Sequence, residues 1–186
     1  HYPNQQAVDL YHRYKEDFAL LSEMGYTMFR MSISVSRIYP KGTEEKPKHA
    51  GVEFYHKVVA ELKKDNIEPL VTMCQNDTPL YIEEELGGWE NRNTIALFDK
   101  YAKTILDEYK NEVKYWLTFN EINMILHAPF MGAGLYFEEE ENEEQVKYQA
   151  AHHELVVSAI ATKLAHEIDP ENKVGCMLAA GQYYPN

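Results

Sequence analysis

The chain repeats one pattern four times: an amphipathic helical stretch is followed by a short apolar strand whose last residues turn polar. Apolar side chains at helical spacing predict helices over residues 7–24, 51–64, 94–109 and 144–168, with Asn93 capping the third. Apolar runs predict strands at residues 27–31, 70–74, 114–119 and 173–179. Strands that alternate with helices form parallel sheets, because parallel neighbours need a crossover connection. The pattern therefore predicts an α/β fold.

Polar side chains stand at the carboxyl ends of the predicted strands, where both barrels and open parallel sheets place their sites. In strand order these residues are Arg30, then Gln75, Asn76 and Asp77, then Asn120 and Glu121, and finally Gln182. An open nucleotide-binding sheet would need a Gly-rich turn between a strand and the next helix, and the sequence has none. A barrel is favoured, with a flavodoxin-like module as the alternative.

The charge balance narrows the possible partners. Lys and Arg total 18 against 30 Asp and Glu, a net charge of −12, which argues against nucleic acid and anionic membranes as partners. No apolar run approaches the ~18 residues of a membrane span, and no signal peptide is recognisable. We therefore predict a cytoplasmic protein whose Cys74 and Cys176 are reduced core thiols. No linker divides residues 1–186, so we predict a single domain. Because both ends of the sequence look cut, we also predict that the chain is a piece of a longer protein.

The sharpest motif is an apolar strand that ends abruptly in Asn120 and Glu121. A carboxyl at the mouth of an apolar strand is partly desolvated, which raises its proton affinity and suits it to general acid catalysis. The neighbouring amide can donate to and accept from a sugar hydroxyl. From the residues alone, an ordinary turn remains the alternative.

This motif, residues 118–121 (TFNE), resembles the acid/base signature of family 1 glycoside hydrolases, retaining β-glycosidases with an eightfold β/α barrel. Further segments resemble that family in its own order: residues 11–17 (YHRYKED), 29–33 (FRMSI), 36–40 (SRIYP), 68–72 (EPLVT) and 87–89 (GGW). Others are most similar to the bacterial 6-phospho-β-glucosidases: residues 122–124 (INM), 127–130 (HAPF), 148–154 (YQAAHHE) and 175–179 (GCMLA). The resemblance implies that the chain holds the second to fifth strands of the barrel.

The resemblance also implies residue roles in a retaining mechanism. Glu121 would be the acid/base, Asn120 would bind the sugar 2-hydroxyl, and Arg30 would contact the nucleophilic carboxylate. The family's nucleophile belongs to a Glu-Asn-Gly segment that this chain lacks, and the loop that grips the substrate phosphate is also outside it. The implied substrate is a 6-phospho-β-glucoside and no cofactor is required. The chain alone is expected to be inactive, and its unpaired sheet edges favour homo-oligomers.

Two departures from the family keep other functions open. The family usually has a glycone-binding His and an aromatic where this chain has Gln75 and Asn76, and it tends to have Trp where Val35 stands. A β-glucosidase acting on unphosphorylated sugars and a non-catalytic sugar-binding barrel are therefore alternatives. No metal site is predicted, because the His152-His153-Glu154 run lacks the second His of the helical zinc signature. Trp89 is predicted to be a hydrophobic anchor.

Overall fold

Four parallel strands form the centre of the fold in a computed structural model that describes residues 7–137, 142–181 and 184. The strands are β1 (Met28–Ser32), β2 (Glu68–Cys74), β3 (Tyr115–Phe119) and β4 (Lys173–Gly175). They pair in chain order, β1-β2-β3-β4. The predicted α/β class is confirmed. Doubly wound sheets reverse their strand order at a switch point, whereas these strands continue in one direction as barrel strands do.

Four long helices accompany the sheet: the first precedes β1, and the other three make the crossovers between consecutive strands. They are α1 (Leu10–Glu23), α3 (His49–Lys64), α5 (Thr94–Glu108) and α7 (Glu143–Ile168). Shorter helices lie in the loops that follow the strands: α2 (Val35–Ile38), α4 (Leu80–Leu86) and α6 (Pro129–Ala133), with 3₁₀ turns at Gly88–Glu90 and Ile122–Leu126. The long helices match the sequence prediction to within three residues at each end. The short ones were not predicted because three to seven residues do not establish a helical period.

Three details of the prediction were wrong. Asn93 does not cap α5, because its φ of −65° and ψ of −20° are already helical, whereas a capping residue is extended. Strand β4 ends at Gly175 rather than at residue 179, and beyond it the Met177 amide donates to the Phe119 carbonyl (3.0 Å). Cys74 is buried, but Cys176 is exposed just past the end of β4.

An aromatic cluster anchors the loop after β2 to the core. Trp89 is fully buried, packs against Phe98 and Phe119, and donates its indole N–H to Thr78 Oγ1 (3.1 Å). His153 of α7 contacts the Trp89 carbonyl through Nδ1 (2.8 Å). The predicted anchoring role of Trp89 is confirmed. The loop that carries Gln75 and Asn76 is therefore fastened at its far end.

Candidate active site

Backbone register aligns the carboxyl ends of β1, β2 and β3. Ser32 lies opposite Thr72, and Cys74 lies opposite Phe119, so that the residues that follow the strands meet at one edge. The amide of Asn120 continues this pairing by donating to the Cys74 carbonyl (2.9 Å). The edge is rigid because sheet hydrogen bonds, rather than loop contacts, set the positions of its side chains.

Arg30 is the centre of the site. Its Nε donates to Thr72 Oγ1 (3.0 Å), and its Nη2 donates to Asn120 Oδ1 (2.7 Å) and to Gln75 Oε1 (3.4 Å). All three partners are neutral oxygens, and no carboxylate pairs with this guanidinium among the described residues. The structure thus joins three of the predicted site residues, Arg30, Gln75 and Asn120, and leaves a positive charge among them.

Glu121 follows Asn120 in a strained backbone conformation. Its φ of 47° and ψ of 45° are left-handed, which costs a non-glycine residue about 1 kcal/mol. Asn76, at the corresponding place after β2, also has a positive φ of 61°. Such strain clusters at functional sites. Asn120 is only 8% exposed while Glu121 is half-buried, and in the part of the chain that the structure describes neither Glu121 nor Asn76 forms a side-chain hydrogen bond with the other predicted site residues. Gln182 lies outside the described residues.

The loop after β2 is held by Asp77, which the sequence placed at the strand end, and by Ser32, which it did not place in the site. Asp77 Oδ1 accepts from the Gln75 amide (2.9 Å), and Ser32 Oγ donates to Gln75 Oε1 (3.0 Å). Burial raises the pKa of the Asp77 carboxyl, and hydrogen bonds from the Gln75 backbone and the Ser34 side chain oppose that rise. Thr72 is equally unforeseen as a partner of Arg30. Pairing the strand ends in register would have brought Ser32 and Thr72 to Arg30 and Gln75.

One buried and one half-buried carboxyl lie behind this loop. Glu154 of α7 is 3% exposed, and its burial, with the charge of Glu83, raises its pKa to about 8. Burial likewise raises the pKa of Glu83 to about 7, against a hydrogen bond from Thr78 and with a contribution from Glu90. A Cβ atom at Gly88 would collide with the Glu83 carboxyl, so this glycine makes room for it. Among the described residues, no group of three or more His, Cys, Asp or Glu side chains is placed to hold a metal ion.

Val35, which stands where the family tends to have Trp, lies beneath the site. Val35 is buried and lines an apolar cavity of about 20 Å³ together with Cys74, Trp89, Phe98 and Tyr101. The smaller side chain therefore changes the packing behind the loop after β2. Gln75, in contrast, is exposed at the edge of the sheet.

A rigid parallel sheet with polar side chains gathered at its carboxyl edge is the architecture of a fragment of a barrel enzyme. The chain matches Glycosyl hydrolase family 1 over residues 1–186. It is 57% identical to 6-phospho-beta-glucosidase AscB of Escherichia coli (strain K12) over 184 residues, which are 99% of this chain and 39% of that protein. It is 52% identical to the aryl-phospho-beta-D-glucosidase BglH of Bacillus subtilis (strain 168), over 96% of this chain and 38% of the relative.

Solved structures agree on the fold. The beta-glucosidase from Thermotoga maritima in complex with galacto-hydroximolactam superposes with a TM-score of 0.84 at 28% identity, covering 95% of this chain and 40% of that one. The chain belongs to glycosyl hydrolase family 1. It spans about two fifths of the length of the relatives that it matches. In the part of the chain that the structure describes, no helix combines the length and apolar character needed to cross a membrane.

Proposed function

We propose that the protein containing this chain is a retaining β-glycosidase that hydrolyses 6-phospho-β-glucosides in the cytoplasm. The observation that carries the proposal is the contact between Arg30 and Asn120 directly beside Glu121, in a chain more than half identical to a 6-phospho-beta-glucosidase. Residues 1–186 would form part of one barrel domain.

Glu121 would work as acid and then as base. In the first step it gives its proton to the leaving glycosidic oxygen while a second carboxylate, about 5–5.5 Å away, attacks the anomeric carbon and forms a glycosyl-enzyme ester. In the second step the Glu121 carboxylate takes a proton from water, whose oxygen displaces the ester and regenerates both groups. Asn120 would hydrogen-bond the sugar 2-hydroxyl, a contact that strengthens as positive charge develops on the ring.

The positive charge of Arg30 supports the proposal that a second carboxylate lies nearby. A partly buried guanidinium whose partners are all neutral oxygens favours a nearby anion, and it would keep a nucleophilic carboxylate ionised. The nucleophile and the phosphate-binding loop would lie in other parts of the protein. Residues 1–186 alone would therefore not hydrolyse glycosides, and association of copies through the sheet edges stays a prediction.

The test is the turnover of two aryl 6-phospho-β-glucosides, one with a good and one with a poor leaving group, by the full-length protein and its Glu121→Gln variant. We expect the variant to lose at least about a thousandfold in kcat/KM on the poor leaving group and much less on the good one, which needs no acid. Glu16→Gln, at an exposed position on α1, is the matched control. Equal losses on both substrates would contradict the acid role, and sugar binding without any product release would favour the non-catalytic barrel.

A further inference from the structure

The side-chain amide of Gln75 is held in one orientation. Its Oε1 lies 3.0 Å from Ser32 Oγ and 3.4 Å from Arg30 Nη2. A guanidinium can only donate hydrogen bonds, so the amide atom that faces Arg30 has to be the oxygen. The backbone of Gln75 is fixed as well, because its N–H donates to Asp77 Oδ1 (2.9 Å).

Asn120 is oriented by the same guanidinium. Arg30 Nη2 donates to Asn120 Oδ1 at 2.7 Å, a short distance typical of a charge-assisted bond. Both lone pairs of the Gln75 oxygen are engaged by Arg30 and Ser32. In each amide the NH₂ group is the free end, and neither NH₂ has a hydrogen-bond partner among the described residues. Gln75 thus offers donors and withholds its acceptor, and Asn120 offers donors while Arg30 engages its oxygen.

We propose that Gln75 is a specificity-determining residue that, with Asn120, makes this wall of the sugar site donor-only, so that it selects glycones by their hydrogen-bond acceptors. The inference rests on the proposed function, because it assumes that a sugar binds at this edge. A sugar hydroxyl can accept a hydrogen bond from the NH₂ groups of the two amides. A fluorine accepts hydrogen bonds only weakly and cannot donate them, so it replaces the hydroxyl in part. A protonated amino group can only donate and carries a charge that Arg30 repels. The substrate class is therefore glycones that carry uncharged hydroxyl groups at the positions that the two amides contact, with amino sugars excluded at those positions.

The test uses competitive inhibition of the full-length enzyme by phenyl 1-thio-β-glucoside 6-phosphate, which resists hydrolysis. Analogues replace the 2-, 3- or 4-hydroxyl by fluorine, hydrogen or an ammonium group, and Ki is measured for each. At the position that Gln75 contacts, we expect fluorine to weaken binding by no more than about threefold and hydrogen by about tenfold, with the ammonium analogue weakest.

The Gln75→Glu variant then separates hydrogen-bond direction from shape. Its carboxylate keeps one acceptor oxygen for Ser32 and Arg30 but replaces the NH₂ donors with a second acceptor. We therefore expect the order of affinities to reverse, so that the ammonium analogue binds more tightly than the fluorine analogue. Gln75→Leu removes both functions and should bring the fluorine and hydrogen analogues to equal affinity. A defect that came only from distorted structure would weaken all analogues without reordering them.

The series on the wild-type enzyme is decisive even if a variant fails to fold. If fluorine is no better than hydrogen at every position, or if the ammonium analogue binds as well as the parent, the donor-only wall is refuted. The proposed function fails in different ways: equal binding of the unphosphorylated parent inhibitor would remove the phosphate preference, and an absence of turnover would remove hydrolysis. Neither result would change the order of the analogues at the Gln75 position.

Discussion

The buried Glu154 carboxyl predicts that the stability difference between wild type and a Glu154→Gln variant changes sign with pH. Glu154 is 3% exposed, and its pKa is raised to about 8, chiefly by burial and further by Glu83. No Lys or Arg among the described residues forms an ion pair with it. The native state therefore keeps this proton to a pH at which the unfolded chain has lost it.

The sign and size follow from proton linkage. Below pH 4.5 both states hold the proton and the carboxyl carries no penalty; between pH 4.5 and about 8 only the native state holds it, so the free energy of unfolding falls as pH rises. At about 1.4 kcal/mol per pKa unit, the penalty is about 1 kcal/mol at pH 5 and reaches an upper bound of about 5 kcal/mol at pH 8. A buried Gln has no such penalty but leaves amide groups without partners, which costs about 2 kcal/mol at any pH.

The assay is denaturant unfolding of the full-length protein and its variants at pH 5 and pH 8. We expect Glu154→Gln to be about 1 kcal/mol less stable than wild type at pH 5 and about 3 kcal/mol more stable at pH 8. Glu85→Gln, at an exposed position on α4, is the control and should change stability by less than about 0.5 kcal/mol at either pH. A stability difference between Glu154→Gln and wild type that does not vary with pH would mean that folding does not raise the pKa of Glu154.

Three further substitutions test other parts of the structure. Arg30→Lys keeps the charge but loses the fork that holds Asn120, and kcat/KM of the full-length enzyme should fall about 10- to 100-fold. Asn123→Ala removes the paired amide bonds to Ala179 (3.0 and 2.9 Å), and hydrogen exchange at the Ala179 amide should accelerate about tenfold while distant helices keep their rates. Val35→Trp introduces the residue that the family tends to have, but the cavity beside Val35 has a volume of only about 20 Å³. Overpacking should therefore lower the free energy of unfolding by about 1–3 kcal/mol, measured by thermal unfolding. An unchanged Tm would mean that the neighbouring side chains move aside.

The long elements of the fold could be predicted because their hydrophobic period extends over several turns. Helix α7 is an example: its start was predicted at residue 144 and lies at Glu143, with Asn142 capping it by accepting from the Gln145 amide (3.2 Å). The end of β4 could not be predicted in the same way. The apolar run continues to residue 179, but the chain leaves the ladder once the loop after β3 offers hydrogen-bond partners, a tertiary effect with no local signal.

The site was predictable as a set of positions but not as a network. Arg30, Gln75 and Asn120 stand at strand ends in the sequence, and strand-end position alone is enough to nominate them. Their contacts depend on register, which the sequence pattern does not determine to within one residue. Thr72 and Ser32 therefore went unrecognised, although they take part in the hydrogen bonds that orient Arg30 and Gln75.

The charge of Arg30 bears both on the proposed nucleophile and on the proposed sugar contacts. A guanidinium that donates to three neutral oxygens is well satisfied in hydrogen bonds, yet its charge is not neutralised by those bonds. The same contacts turn both amides so that their donors are free, and donors next to a cation strengthen one another's preference for anions and lone pairs. Under the proposed function, Arg30 and the two amides would present donors to the oxygens of a sugar on one side and to a carboxylate on the other. Arg30 would perform both tasks because it lies on β1, one strand from Gln75 and two from Asn120.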